Sequence, residues 1–397
     1  MESMQAWWED YRASWLGNYY QNILAGVLVA LAMLPGAIAY SFIAGVSPTT
    51  SMISTSMMMV YISFLGARTL MVSAPSSGVS LIVVMITASY SLDMLAASII
   101  IMGIIQIIFG YCHVSKAIKL IPVPVVIGFM NALCYLLFAA QLKHIFGYNF
   151  TTYIYAILSL LVIWLVPRWT TKIPAALLSI IVFTCLSFFT HADLKHVSDY
   201  ADIHVKIPSM QLPHLDWQVD TLLQVIVFGL MLATVATIQT SLIAQMMDDL
   251  TQTPSDKDKE SRGQGVSNLL IGLFGGLAGS GLVGQSKFVY FSGATSRLSM
   301  LVIGVVMGLF VFVLGPIVGQ IPMVVLATVL IKIALKAFDP KTKILIVKRR
   351  YADFMIMLLT VGLTIYTKNL ALGVLAGTAC YYLYKGVENV WQNSRNN

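Results

Sequence analysis

Between Asn22 and Gly386 the chain is a near-continuous series of apolar runs separated by short breaks. Backbone in hydrocarbon has no water to bond, so only helices and closed barrels can span a bilayer. A spanning helix needs roughly 20 apolar residues, fewer where it is a half-helix. The runs fall at 22–44, 48–66, 75–90, 94–112, 121–141, 152–167, 174–190, 218–246, 264–279, 283–294, 298–315, 321–338, 351–367 and 369–386. Most are too long for barrel strands. Only 10% of residues are charged, against about 25% in soluble domains. The expected fold is an all-α polytopic membrane protein with 14 transmembrane segments.

The positive-inside rule tests this division. With both termini in the cytoplasm, eighteen of the 24 Lys and Arg fall on the cytoplasmic side and four (Lys143, Lys195, Lys206, Lys368) outside, while Lys287 and Lys332 lie within spans. The net charge of +7 therefore reads as loop bias, not as a nucleic-acid footprint. Residues 1–21 carry Trp7, Trp8, Trp15, Tyr19 and Tyr20 among charged neighbours. They read as an interfacial segment, with no signal-peptide pattern.

The third and tenth runs are short and follow broken sequence. The break at Phe274–Lys287 holds five glycines (Gly275, Gly276, Gly279, Gly281, Gly284) with Ser280, Gln285, Ser286 and Lys287. Irregular backbone at membrane depth is tolerated only where protein or a cavity surrounds it. Ile121-Pro opens span five and Ile321-Pro opens span twelve. The two broken spans are likewise seven apart. Seven is odd, so the second half is inverted relative to the first, the pattern that points to a secondary transporter with a midplane site. The domain organisation expected is an interfacial segment 1–21, a first inverted repeat 22–190, an extracellular loop 191–217, a second repeat 218–386 and a short cytoplasmic tail 387–397.

All 17 Asp and Glu fall in termini, loops or span ends. The run Asp248–Glu260 reads as a solvated linker between the repeats. His191, His196, His204 and His214 crowd the outer loop in no standard zinc spacing, so that loop reads as solvated and no metal or cofactor is expected. Cys112, Cys134, Cys185 and Cys380 sit in apolar stretches without CxxC spacing and read as small core residues.

Several stretches, in order along nearly the whole chain, resemble the sulfate permease (SulP) family of anion transporters. They are Asn22–Pro48 with Leu34-Pro-Gly-Ala-Ile-Ala-Tyr40, Ile121-Pro-Val-Pro-Val-Val-Ile-Gly-Phe129, Gly263-Gln-Gly-Val-Ser-Asn268, Gly275-Gly-Leu-Ala-Gly279, Gly284-Gln-Ser286, Gly293-Ala-Thr-Ser-Arg-Leu298 and Asn369–Gly377. The resemblance implies two inverted seven-span repeats like those of uracil permeases. It implies a core domain (spans 1–4 and 8–11), a gate domain (5–7 and 12–14) and a homodimer in the cell (inner) membrane. It differs in three residues: Gly36 stands where many bacterial relatives have Glu or Gln, Gln239 where many have Glu, and Gln285 where animal members have Arg. Members usually continue into a cytoplasmic STAS domain, and this chain, ending at Asn397, is expected to lack one.

The start of a broken helix offers free N–H groups and roughly half a positive charge, a ready anion site. Ser73-Ala-Pro-Ser-Ser-Gly78 opens span three, and Gly279–Gln285 opens span ten. The expected substrate-binding set is Tyr40, Ser76, Ser77, Gly78, Gln239, Ser280, Gly281, Gln285 and Lys287. Lys287 lies two residues past Gln285, about 200° round a helix, so it is either an anion contact or a structural lysine. The expected function is a non-enzymatic secondary carrier, symporter or exchanger, for small anions such as sulfate or bicarbonate. A nucleobase carrier of the same fold, or an anion channel or motor-like protein, are the alternatives. With no acidic residue in mid-span, transport is expected not to be proton-coupled through a membrane carboxylate.

Overall fold

The computed structural model describes residues 15–114, 121–169, 175–199, 209–216, 218–338, 342–343, 345, 350–367 and 370–396. Most of the interfacial segment, His204 and the basic residues Lys116, Lys119 and Lys172 lie outside the described residues. Fourteen helices are bounded within them, one over each apolar run: α1 Tyr19–Ala44, α2 Pro48–Leu65, α3 Ser77–Thr87, α4 Leu92–Tyr111, α5 Val123–Leu142, α6 Phe150–Trp169, α7 Ala175–Thr190, α8 Val219–Thr251, α9 Lys257–Leu273, α10 Val283–Phe291, α11 Leu298–Val318, α12 Met323–Ala337, α13 Tyr351–Thr367 and α14 Leu370–Asn396. Four of these, α1, α4, α6 and α8, are by length and composition alone long and apolar enough to cross a membrane.

Local chemistry sets many of the ends. Gly45, at φ 69°, closes α1 in the left-handed conformation that glycine adopts without a Cβ penalty. Ser47 caps α2, accepting from the Thr50 N–H with Pro48 in the first turn. Ser91 caps α4 by accepting from Met94 N–H. Asp256 caps α9 by accepting from the N–H groups of Asp258 and Lys259.

The ninth span departs from expectation. Helix α9 begins at Lys257 and ends at Leu273, whereas an apolar helix was expected over 264–279. Its polar first turns are buried, with Glu260 at 1% and Gln264 at 0% exposure. Beyond Leu273 the chain turns at Phe274–Gly275, with Gly275 at φ 66°, and reaches Ser280 without regular structure. There Ser280–Gly281 (β2) pairs antiparallel with Ser73–Ala74 (β1), with Ser73 opposite Gly281 and Ala74 opposite Ser280. The all-α expectation therefore gains one two-stranded pair, because the backbone freed before each short helix must find a partner.

The chain separates into two compact units, one of residues 1–115 and 141–332, the other of 116–140 and 333–397. Spans six, seven and most of twelve thus belong with the first unit, whereas the resemblance grouped them with span five. In the first unit α4 and α9 approach to backbone contact: a Cβ on Gly103 would lie 2.6 Å from the Gly265 carbonyl, and one on Gly265 2.7 Å from the Gly103 carbonyl. Small residues allow this approach where lipid supplies no hydrophobic drive. In the second unit Ile127, Leu345 and Met357 form a buried cluster against Phe354, and Asn131 donates to Thr342 Oγ1 at 2.8 Å.

Three expectations are corrected. The 248–260 run is a solvated linker only in part: Asp249, Gln252–Pro254, Asp256 and Lys259 are exposed, but Asp248, Asp258 and Glu260 are buried. Asp248 (8% exposed) pairs with Arg68 at 3.2 Å and Lys257 at 2.8 Å. The Glu260 carboxylate accepts from the N–H groups of Ala67 and Arg68 at 2.6 and 2.8 Å. Polar sequence is no sign of solvent where opposite charges and orphan N–H groups arrive from another element. Cys112 and Cys185 are exposed, and only Cys134 is buried. In a chain that presents Phe189 and Leu383 at 78% and 70% exposure, apolar neighbours mark a lipid-facing surface as readily as a core. The outer loop, mostly exposed among its described residues, is nonetheless tethered at its start: residues 195–198 bond to the segment before α12, through Val197 N–H to Ile321 O, Ser198 N–H to Gly319 O and Met323 N–H to Lys195 O.

Candidate functional site

Helices α3 and α10, of 11 and 9 residues, both start directly after the paired strands. Their cap residues, Ser76 and Leu282, are extended and make no side-chain cap bond to their own helices. The first-turn N–H groups of a helix have no intrahelical partner, so both starts present donors outward. The Ser77 side chain lies outside the described residues, although Ser77 begins α3. Gly78, at the same helix start, is buried.

Side chains from four elements converge on this pair of strands. Ser76 and Ser280, both fully buried, share a hydrogen bond of 2.7 Å between hydroxyls. Ser76 Oγ also donates to Gln239 Oε1 at 3.3 Å, and Gln239 Nε2 donates to Gly281 O at 3.3 Å. Thr240 Oγ1 accepts from Gly281 N–H at 3.1 Å and donates to Gln264 Oε1 at 2.8 Å. Gln264 Nε2 then donates to Ser73 Oγ at 2.9 Å. Asn268 grips Gly279 at both backbone groups, accepting from its N–H at 2.8 Å and donating to its carbonyl at 3.1 Å. Val72 and Leu282 continue the clasp: Leu282 N–H donates to Val72 O at 2.8 Å, and Val72 N–H to Ser286 Oγ at 2.9 Å.

The glycines divide by role. A Cβ on Gly279 would sit 3.0 Å from the Ala74 carbonyl carbon, so this glycine admits the neighbouring strand. A Cβ on Gly284, in the first turn of α10, would meet nothing within 4 Å.

Gln285 and Tyr40 lie about Gly36. A Cβ on Gly36 would stand 3.8 Å from the Tyr40 ring and 4.0 Å from Gln285 Nε2. Tyr40 is 5% exposed. Lys287 is exposed, and among the described residues no hydrogen bond or ion pair joins it to Ser76, Gln239 or Ser280. The structure thus brings together Ser76, Gln239, Ser280 and Gly281, sets Tyr40 and Gln285 beside one another, and leaves Lys287 out of the bonded group. Among the described residues no carboxylate bonds to any of them. Thr240, Gln264 and Asn268 were missed from sequence. The i, i+4 spacing of Gln264 and Asn268 on a helix, in an otherwise apolar stretch, was the available signal.

Beyond the spans, charges gather where α2, α8, α9 and α11 end. Arg68 donates to Asp248 and to Thr253, and Arg297 donates to the carbonyls of Ser63 and Gly66 at 3.2 and 2.7 Å.

Apolar helices along the whole chain, two of them short and starting beside a buried, donor-rich pair of strands, are the features of a multi-pass membrane protein. The comparisons with known proteins agree. The model of the sulfate permease family matches residues 20–161 and 148–360. A putative sulfate transporter of Bacillus subtilis, YbaR, is 37% identical over 366 residues, 92% of this chain and 77% of that protein. A bicarbonate transporter of Synechocystis, BicA, is 24% identical over 351 residues, 81% of this chain and 62% of that one. Among solved structures, the transmembrane domain of a cyanobacterial bicarbonate transporter BicA superposes with a TM-score of 0.76 at 23% identity, covering 91% of this chain and 96% of that one. The murine Solute Carrier 26 member A9 anion transporter, inward-facing, gives 0.81 at 17% identity over 93% and 68%. The chain belongs to the sulfate permease family.

Proposed function

We propose that the chain is a secondary active carrier, a symporter or exchanger, for small inorganic or carboxylate anions such as sulfate or bicarbonate. It works by alternating access, as 14 transmembrane segments in two inverted seven-segment repeats. The anion lies between the N-termini of α3 and α10. The observation that carries this reading is the pair of uncapped helix starts at β1 and β2, ringed by hydroxyl and amide groups with no carboxylate bonded there among the described residues. Helix-start N–H groups and the Ser76 and Ser280 hydroxyls give donors. Gln239 and Gln285 add neutral amides where relatives carry charge. A charge-assisted hydrogen bond contributes about 1.5–3 kcal/mol, and a millimolar site needs only about 4 kcal/mol in all. Two or three such donors suffice, and weak binding lets a carrier release its load.

The same reading makes the site neutral. A carrier driven by protons normally titrates a group within the membrane, and Gln239 cannot titrate. Uptake of sulfate, whose charge does not change near neutral pH, is therefore expected to be insensitive to an imposed pH gradient. The chain is further proposed to be a homodimer in the cell membrane, with both termini cytoplasmic.

The test is a panel of labelled anions and nucleobases offered to proteoliposomes, with Ser280→Leu, Gln239→Leu and Ser77→Leu beside wild type. Saturable anion uptake that these substitutions abolish is expected. Nucleobase uptake, non-saturating flux as in a channel, or full activity in all three variants would overturn the proposal. So would strong acceleration of sulfate uptake by inward protons, for the coupling claim.

A further inference from the structure

The second unit holds a cavity that the transport site does not use. It has a volume of about 500 Å3 and is lined by Arg350, Tyr351, Asp353, Tyr381, Tyr384 and Lys385, with Ala352. One wall is the start of α13, where Arg350 precedes the first turn. The other is a turn and a half of α14 carrying Tyr381, Tyr384 and Lys385, three and four residues apart and so on one face.

The chemistry of this lining is that of an anion held at an interface. Two cations and three phenols supply donors. The phenol rings give walls that suit the headgroup level of a bilayer. Asp353 is the one acidic group in the lining, and its carboxylate lies 3.8 Å from the Arg350 guanidinium. That separation is beyond a hydrogen bond, so the guanidinium's donors are not consumed by it. The Arg350 side chain is 64% exposed and can turn to a ligand.

The sequence around the cavity distinguishes a lipid from a soluble anion. Lys341, Lys343, Lys348, Arg349 and Arg350 are five cations within ten residues, immediately before the apolar run of α13. Clusters of 4–8 Lys and Arg directly cytoplasmic of a spanning helix attract anionic lipid. A pocket for a free anion needs no such field spread along the membrane surface. We propose that this cavity binds the headgroup phosphate of an anionic phospholipid of the cytoplasmic leaflet, with Arg350 and Lys385 as its charge contacts and Tyr384 as a hydroxyl donor.

The test uses the full chain, purified from detergent after equilibration with vesicles of phosphatidylcholine alone or of phosphatidylcholine and phosphatidylglycerol in equal parts. Retained lipid is counted by native mass spectrometry. Phosphatidylglycerol should be retained in preference to phosphatidylcholine. Arg350→Gln and Lys385→Gln should each weaken that retention about fivefold, Tyr384→Phe should weaken it less, and Asp353→Asn should strengthen it. All four positions are at least partly exposed, and melting curves check that each variant is folded. Equal retention of the two lipids, or retention unchanged in the Arg350→Gln/Lys385→Gln double variant, would overturn the proposal. Displacement of phosphatidylglycerol by excess inorganic phosphate would overturn the lipid as occupant in favour of a free anion. Lipid counting requires no transport, so failure here leaves the anion-carrier reading standing, and failure of that reading leaves this one testable.

Discussion

Gln264→Leu is the sharpest perturbation of the clasp that holds the helix starts. Gln264 is fully buried and bridges the two halves of the chain, donating to Ser73 Oγ at 2.9 Å and accepting from Thr240 Oγ1 at 2.8 Å. Leucine has nearly the same volume, so no large cavity forms. Two neutral hydrogen bonds go, each worth about 1 kcal/mol net, and two buried hydroxyls are stranded at about 1–3 kcal/mol each. Thr240 can recover part of this by turning its hydroxyl to a carbonyl one turn back along α8, so the expected loss is about 2–4 kcal/mol. At roughly 2 °C per kcal/mol for a large domain, the melting temperature of the solubilised protein should fall by several degrees. Anion uptake should fall with it, since Thr240 is also the acceptor for Gly281 N–H. Thr240→Val breaks the same bridge from its other end. The double variant should therefore fall short of additivity by roughly 0.5–3 kcal/mol. Additive effects, or a Gln264→Leu protein that melts and transports as wild type, would show that the bridge does not hold β2 in place.

Gly279→Ala should destabilise the protein by about 1–3 kcal/mol, since its Cβ would lie 3.0 Å from the Ala74 backbone; an unchanged melting curve would contradict the tight strand approach. Lys287→Ala should leave the affinity for anions within about twofold of wild type, as expected of an exposed side chain outside the bonded group; a tenfold loss would return it to the site. Asp248→Asn tests the charge cluster: it removes the ionised partner of the buried Arg68 and of Lys257, so it should destabilise the protein by about 3–5 kcal/mol; an unchanged melting curve would show that the pair contributes nothing.

What could be read in the sequence was whatever depends on local backbone. Pro75 and the glycines of 275–284 announced two interruptions, because hydrocarbon forbids irregular chain without protein around it. The fourteen helices lie on the apolar runs for the same reason. What could not be read was the partner of each freed group. Ser73 meets Gln264 across 191 positions, and Ser76 meets Ser280 across 204. Nothing local in either residue specifies the other. The ninth span was misplaced because hydropathy follows side chains: Gly275–Gly279 looked apolar enough for a helix, while Lys257–Gly263 looked too polar for one. The first stretch left the helix through the left-handed Gly275 and ran to Asn268 and β1. The second became helix because Asp256 caps it and Arg68 and Ala67 meet its glutamate. Lys287 was conspicuous by its charge alone, and charge says nothing of which way a helix turns it.

The pairing of β1 with β2 has a thermodynamic corollary. It ties the starts of α3 and α10 to one piece of hydrogen-bonded backbone, and Gln239, Thr240, Gln264 and Asn268 brace that piece from α8 and α9. If the proposed carrier holds its anion at these helix starts, the anion would meet the same donors at the same spacing whichever face of the membrane the site is open to. The intrinsic dissociation constants on the two sides would then be nearly equal. Any difference between half-saturation measured from the two faces would report the balance of open states and not the chemistry of the site.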